Sequence, residues 1–170
     1  MPKGLKETSS LITIGFSALE TAPDTFHQER IDLQLNPLDN EVFVVTAIDM
    51  DLSNPNAIAA TNTRVEASVT TTSQTSVVNL SASACLAVTD SAIRASGFVD
   101  GGVGFQKSSM ETPPAALDYI GIIATNDFFV QIQGTANGTV KRVAGKMYGY
   151  RARADSAVYA ALVQSEVLSS

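Results

Sequence analysis

Residues 127–153, DFFVQIQGTANGTVKRVAGKMYGYRAR, carry the pattern that decides the fold. Phe128, Val130 and Ile132 fall on one parity, and Phe129, Gln131 and Gln133 on the other. Strict alternation marks a strand with one face on a core. A polar turn, Gly134 to Gly138, follows. Its Asn137-Gly138 pair suits positive φ, so the sequence predicts a hairpin here. The returning run, residues 140–153, holds five of the chain's eleven Lys and Arg residues, together with Tyr148 and Tyr150. As one strand it places Arg142, Lys146, Tyr148 and Tyr150 on one face, with Val143, Met147 and two glycines on the other.

The remaining 143 positions set the bounds around this stretch. A chain of 170 residues is the size of one domain and can bury a single core without staples. Charged residues make up only 16%, against a usual quarter, so the polar surface must be built from Ser, Thr, Asn and Gln. That composition suits β-structure and surfaces that neighbours will cover. A net charge of −6 argues against a dedicated nucleic-acid-binding domain, which needs a cationic footprint. The one cysteine, Cys85, excludes an intrachain disulfide and is expected to be a small buried apolar residue. No apolar run approaches the roughly 20 residues of a membrane span. Residues 1–20 loosely imitate a secretion signal, but Glu7, the hydroxyl residues and a Gly-broken apolar stretch argue against one.

Outward from the central stretch, turn signals divide the chain into short strands. Residues 1–24 are expected to form an N-terminal arm. In residues 25–35, Ile31, Leu33 and Leu35 alternate with Asp32 and Gln34, and the cluster Asn36-Pro37-Leu38-Asp39-Asn40 ends the run. Residues 41–51 are apolar on both parities, with Val42, Val44 and Ile48 opposite Phe43, Val45 and Ala47. A strand covered on both faces is expected. Residues 63–72 alternate again, Val65, Ala67 and Val69 against Arg64, Glu66 and Ser68. Between residues 79 and 97 the spacing of Leu80, Ala84, Ala87, Val88 and Ile93 predicts a short helix, capped by Ser81 and ended by Gly97. A strand is expected near residues 103–109, a rigid break at Thr112-Pro113-Pro114, and a further strand over residues 117–125. Asp155 can cap a last helix over residues 155–166, with Val158, Ala161 and Leu162 as its apolar stripe. Seven or eight strands with one or two short helices, and no repeat or linker, predict a single all-β domain, an antiparallel β-sandwich or a barrel rather than βαβ units.

No catalytic set can be assembled from these residues, and no cofactor is implied. His27 is the only histidine, and neither Cys85 nor the scattered carboxylates stand at a triad or zinc spacing from it; a structural histidine is expected. Asp49 and Asp51 share a strand face about 7 Å apart. They are weak candidates for Ca²⁺ with Asp24 or Asp39, against a simple solvated strand end. Gly101-Gly102-Val103-Gly104 lacks the Lys-Ser/Thr of a phosphate loop, and Gly145-Lys146-Met147 matches no nucleotide motif. Asn79-Leu80-Ser81 and Asn137-Gly138-Thr139 match the glycosylation acceptor pattern. The basic run, interleaved with tyrosines, could track single-stranded nucleic acid. In an acidic chain, cations paired with neighbouring carboxylates are the favoured reading.

The last third, LDYIGIIATNDFFVQIQGTANGTVKRVAGKMYGYRARADSAVYAALVQSE (residues 117–166), resembles the small single-jelly-roll coat proteins of environmental and marine viruses or phages. An apolar strand leads into ATNDFFVQIQG, a short loop, the long KRVAGKMYGYRA strand and an Ala-rich terminal helix. The resemblance implies a jelly roll and a self-assembling capsid subunit. Its partners would be copies of itself and other virion proteins, its location the virion, assembled in the host cytoplasm. The basic N-terminal arm that many genome-binding coat proteins carry is missing here, so genome contact is not favoured. Subunit contacts are expected at the weakly charged loops 53–62 and 101–114, at Val103 and Phe105, and at Arg142, Lys146, Arg151 and Arg153. The competing expectation is a β-sandwich module binding a carbohydrate or other ligand, such as a fibre or spike component. It calls for an exposed aromatic platform, and the chain has seven Phe, four Tyr and no Trp.

Overall fold

The alternating runs become strands in a computed structural model, which describes residues 2–108 and 117–169. In chain order they are β1 (Leu5–Glu7), β2 (Ile12–Leu19), β3 (His27–Asp32), β4 (Glu41–Leu52), β5 (Thr63–Thr70), β6 (Cys85–Arg94), β7 (Val103–Ser108), β8 (Gly121–Ile123), β9 (Asp127–Thr135) and β10 (Arg142–Ala154). One helix, α1 (Ser156–Ser169), closes the chain. The strands form two antiparallel sheets packed as a sandwich. The first runs β10–β4–β8, with β1 and β2 side by side in sequence along the outer edge of β10. The second runs β3–β9–β5–β6–β7. Of the sandwich and barrel that the turn spacing allows, the all-β sandwich is the observed architecture.

The core lies between the sheets and is built from the inward parity of each strand. Phe128, Val130 and Ile132 of β9 are fully buried in it, as their alternation requires, beside Val65, Ala67 and Val69 of β5. From the first sheet come Phe16 and Ala18 of β2, Phe43 and Val45 of β4, and Val143 and Met147 of β10. β4 changes parity part-way. Val45 pairs with Gly149 and Ala47 with Tyr148, which leaves Thr46 as an extra residue whose hydroxyl bonds the Tyr148 carbonyl at 3.0 Å. Ile48 therefore joins the face of Phe43 and Val45, contrary to the sequence expectation that set it with Val42 and Val44.

Glycines in β10 let two aromatic rings lie on its backbone. A Cβ at Gly145 would stand 2.6 Å from the Phe16 ring, and one at Gly149 would stand 2.6 Å from the Phe43 ring. Phe16 in turn meets Phe128 edge-to-face, with centroids 5.8 Å apart. Outside the first sheet, Val42, Val44, Ala152 and Ala154 form a second apolar cluster under α1, which contributes Val158, Tyr159, Leu162 and Val163. Asp155 caps the helix, accepting from the Val158 amide at 2.8 Å. The helix runs past the expected exit at residue 166. Glu166 is buried and accepts from the Ala124 and Thr125 amides at 2.5 and 3.1 Å, so it pins the helix to the end of β8.

Three further expectations are corrected. The 79–97 region is no helix: β6 pairs with β5 and β7. Its core face is the small and hydroxyl set Ala87, Thr89 and Ser91, and the bulge that leaves Leu86 between Cys85 and Ala87 breaks the alternation. Residues 1–24 are no free arm, because β1 and β2 pair along most of β10, and Ile12, Ile14, Phe16 and Ala18 face the core. The central stretch is no hairpin either, since β9 and β10 belong to different sheets. Positive φ falls at Ala136 (57°), not at Asn137-Gly138. The Thr112-Pro113-Pro114 break lies outside the described residues.

The close ring contacts make a stability prediction. Gly149→Ala should lower unfolding free energy by about 1–3 kcal/mol, because neither the Phe43 ring nor the β4 backbone can retreat. Gly15→Ala, whose Cβ meets nothing within 4 Å, should stay within about 0.5 kcal/mol. Urea denaturation of dilute protein compares the two directly.

Candidate subunit-contact surface

β7 is the outermost strand of the second sheet, and its pairing with β6 sets Val103 opposite Arg94 and Phe105 opposite Ala92. Both side chains are about half exposed, at 47% and 54%. Gly102 fits closely against the Arg94 carbonyl and Ala95, which holds the entry to β7 down on the end of β6. Ile58, Phe98 and Val99 also stand out into solvent, Val99 at 98%. Ala57, Ile58 and Ala59 share a cleft of about 480 Å³ with Gly101, Gly102 and Gly104. The two loops that the sequence marked as weakly charged, 53–62 and the described part of 101–114, therefore meet at one corner. Exposed apolar side chains of this kind mark a candidate interaction site.

Below Phe105 lies a second cleft of about 470 Å³ on the outer face of the same sheet, lined by Arg64, Asp90, Arg94 and Lys107 among others. Arg64 pairs with Glu66 at 3.1 Å and with Asp90. Burial raises the Glu66 carboxyl from its usual range, with Arg64 acting against it. Asp90 Oδ1 is buried without a hydrogen-bond partner. The cleft thus has a cationic rim, and Phe105 is its apolar wall.

The four basic candidates do not gather there. Arg142 and Lys146 are exposed on the outer face of the first sheet, Lys146 opposite Asp49 of β4 and Gly15 of β2. Arg153 reaches Asp39 at 3.5 Å on the surface. Arg151 is spent inside the chain. Its guanidinium pairs with Glu41 at 2.6 Å and donates to the Leu33 carbonyl at 2.9 Å and the Gln34 carbonyl at 3.2 Å. It anchors the exit of β3 to β10 and is not a free contact charge. Asp49 and Asp51 are exposed, while Asp24 and Asp39 serve local hydrogen bonds elsewhere. Among the described residues no group of three or more His, Cys, Asp or Glu side chains converges on a metal position. His27 Nε2 stands 3.0 Å from Glu29 Oε2 at the side of the sandwich.

Sequence reasoning missed the buried polar residues that hold this architecture. Glu20 is 2% exposed and accepts from the amides of Thr25, Gly134 and Lys141 at 2.9, 3.0 and 2.7 Å. Asn137 accepts from the Asn56 amide at 2.8 Å and donates to the carbonyls of Arg64 and Thr135. Its amide is fully used and buried, so the Asn137 acceptor pattern is closed to modification in the folded chain. Lys141 is also buried and donates to the Asn54 carbonyl and Asn56 Oδ1 at 2.7 and 2.6 Å. Gln131, on the outer parity of β9, is fully buried between Ser68, Thr70 and Gln28. Residues 71–78 fold back over it, with Gln74 and Val78 amides bonding Gln28 and Ser68. No composition or spacing signal marks these residues, because each is buried by a loop distant in sequence.

No protein-family model matches the chain, and no curated protein matches it in sequence. Its reading rests on its own geometry.

Cys85 gives a pH test of the region behind β6. Burial pushes its thiol up to about 11, with a backbone hydrogen bond at Ala87 acting in the other direction. The folded chain therefore keeps a proton that the unfolded chain, with an ordinary thiol near ~8.5, releases. The associated stability is fully present below that ordinary value and is lost as pH rises through about 11. At pH 8.5 the native thiol should react with an aromatic disulfide reagent roughly 100-fold more slowly than the unfolded chain, read by absorbance.

Proposed function

We propose that the chain is a self-assembling coat subunit of a virus particle, built on a jelly roll. The observation that carries this reading is the nesting of the strands. With β1 and β2 taken as one strand and β7 set aside, eight strands remain. They pair first with last, second with seventh, third with sixth, and fourth with fifth. The joins between these pairs are β10 with β4 and β9 with β5. A long antiparallel ribbon rolled up on itself would give that order, which supports reading the sandwich as a double-Greek-key jelly roll.

The surface supports the same reading. A shell subunit must keep a rigid frame while offering several weakly charged contact areas, and it needs no catalytic cleft. Here the frame is the sandwich, and the exposed apolar side chains of Ile58, Phe98, Val99, Val103 and Phe105 are candidate contacts for another copy of the chain. Contacts between copies that repeat around a closed particle need little area each, because a neighbour held at several edges gains by effective concentration. Other virion proteins are further candidate partners, and assembly in the host cytoplasm is part of the proposal. Genome contact would fall to Arg142 and Lys146, the exposed cations of the first sheet's outer face.

The test is assembly. Purified wild-type protein should give uniform particles by negative-stain microscopy and light scattering. Val103→Glu with Phe105→Lys should abolish them and leave the circular dichroism and melting midpoint of the subunit unchanged. Wild-type-sized particles from that variant would sink the role of the corner. Monodisperse wild-type monomers at every concentration would sink the coat reading in favour of a ligand-binding module.

A further inference from the structure

β2 is an edge strand without any of the usual guards. One side pairs with β10, and the other faces solvent. Native sheets protect such edges with charge, proline, bulges or short length, because the free N–H and C=O groups template another strand. The other edges here follow that practice. β3 carries His27, Glu29, Arg30 and Asp32, β8 has three residues, and β7 carries Lys107. Residues 8–19, TSSLITIGFSAL, contain no charge and no proline.

The free groups can be named. The Glu20 amide bonds the Lys141 carbonyl at 3.0 Å, in register with the β2–β10 ladder. Hydrogen bonds in an antiparallel ladder alternate, so the even residues of β2 direct their backbone groups at β10. Thr13, Gly15 and Ser17 direct theirs outward. Among the described residues no hydrogen bond reaches them. The same odd residues put their side chains on the exposed outer face of the sheet.

That exposed series is symmetric. Leu11, Thr13, Gly15, Ser17 and Leu19 read large apolar, hydroxyl, glycine, hydroxyl, large apolar from either end. Leu11 and Leu19 are 64% and 53% exposed. We infer that β2 is the contact of a two-fold dimer, pairing antiparallel with β2 of a second copy about Gly15. Gly15 then faces Gly15, Thr13 faces Ser17, and Leu11 faces Leu19 across the axis. All are odd residues with outward backbone groups, so this register makes hydrogen-bonded pairs throughout. An isologous contact requires such self-complementarity, and a strand of unrelated sequence would lose the two Leu–Leu pairs. Residues 8–19 themselves carry no charge to oppose the approach. The inference stands on this edge alone and needs no shell.

Cross-linking tests the register. Hydrogen-bonded antiparallel pairs hold their Cα atoms about 5.5 Å apart, within disulfide reach. A Cβ at residue 15 meets nothing within 4 Å, so the site accepts a side chain. In a Cys85→Ser background, Gly15→Cys should form a covalent dimer under mild oxidation roughly tenfold or more faster than Leu38→Cys, a freely exposed collision control outside both contact areas. Charge pairing supplies a second readout that does not depend on the fold surviving one variant. Thr13→Glu with Ser17→Glu places like charges opposite each other and should make the chain monomeric in sedimentation velocity. Thr13→Lys with Ser17→Glu should restore the dimer. Equal cross-linking of the two cysteine variants, or equal mass for the two charge variants, overturns the inference. Ladders of higher covalent species in place of a dimer overturn it too. Particles formed by a chain that fails both tests would leave the coat reading standing, and dimers without particles would leave the β2 contact standing.

Discussion

Two phenylalanine rings lying on the backbone of β10 are the constraint on which the sandwich depends. Phe16 arrives from β2 and Phe43 from β4, on either side of β10, and each covers a glycine of that strand. A side chain at residue 145 or 149 would occupy the space of the ring and lift the neighbouring strand. With hydrogen there instead, the rings close over the strand and bracket Met147, which is fully buried. Phe16 then reaches the opposite sheet through Phe128. One contact set therefore fixes the order of the first sheet and its distance from the second. It also explains why β10, which borders β1, β2 and β4, is the longest strand of the structure.

Polar burial does the complementary task at the ends of the sheets. The chain has few charges, yet it buries Glu20, Lys141 and Glu166. Each is used to satisfy backbone groups, or backbone and amide oxygens, at a place where the chain passes from one sheet to the other or where the helix docks. Buried crossings carry N–H groups that have no ladder partner, and leaving them unpaired costs more than placing a carboxylate among them. Glu20 collects three such amides from the β2, β9 and β10 ends. The crossing from β9 to β10 is stable because of it, and so a segment that reads as a hairpin spans the sandwich.

Those polar anchors mark the limit of what the sequence discloses. Period-2 alternation located β3, β5 and β9 within a few residues, because each has one face on the core and the pattern is local, and the run 41–51, apolar on both parities, located β4. It failed where the local pattern was broken or discounted. β2 alternates Ile12, Ile14, Phe16 and Ala18 with small residues, and only its place near the chain's start made it read as an arm. β6 shows Ala87, Thr89 and Ser91 to the core, which carries little hydrophobic contrast, and its bulge at Leu86 imitates helical spacing. Pairing was beyond reach altogether. Asn-Gly favours a tight turn, but the hydrogen bonds of Asn137 to Asn56 and Arg64 lie some eighty residues away in sequence and decide otherwise. Of the surface, the exposure of Val103 and Phe105 was legible, whereas the meeting of residues 57–59 with residues 101–104 was not, because it is a tertiary contact. Arg151 was not, because its acceptors are carbonyls that any residue could supply.

The two contact areas have different geometry. β2 lies beside β3 at one side of the sandwich, where Gly15 and Leu19 share a groove with His27 and Ile31. β7 lies at the opposite side, beyond β6, with Leu86 of β6 reaching across to Gly121 of β8. A two-fold contact at β2 consumes one face of each subunit and stops at a dimer. Were the apolar side chains at β7 to meet a different surface on a neighbour, that contact would be heterologous and would propagate from dimer to dimer. Neither contact suffices for a closed particle, but an isologous contact at one side and a heterologous one at the other can generate it. The charge guard on β3 then has a physical purpose. It would keep the second sheet from pairing at that edge, so the proposed dimer would close through one sheet and in one register.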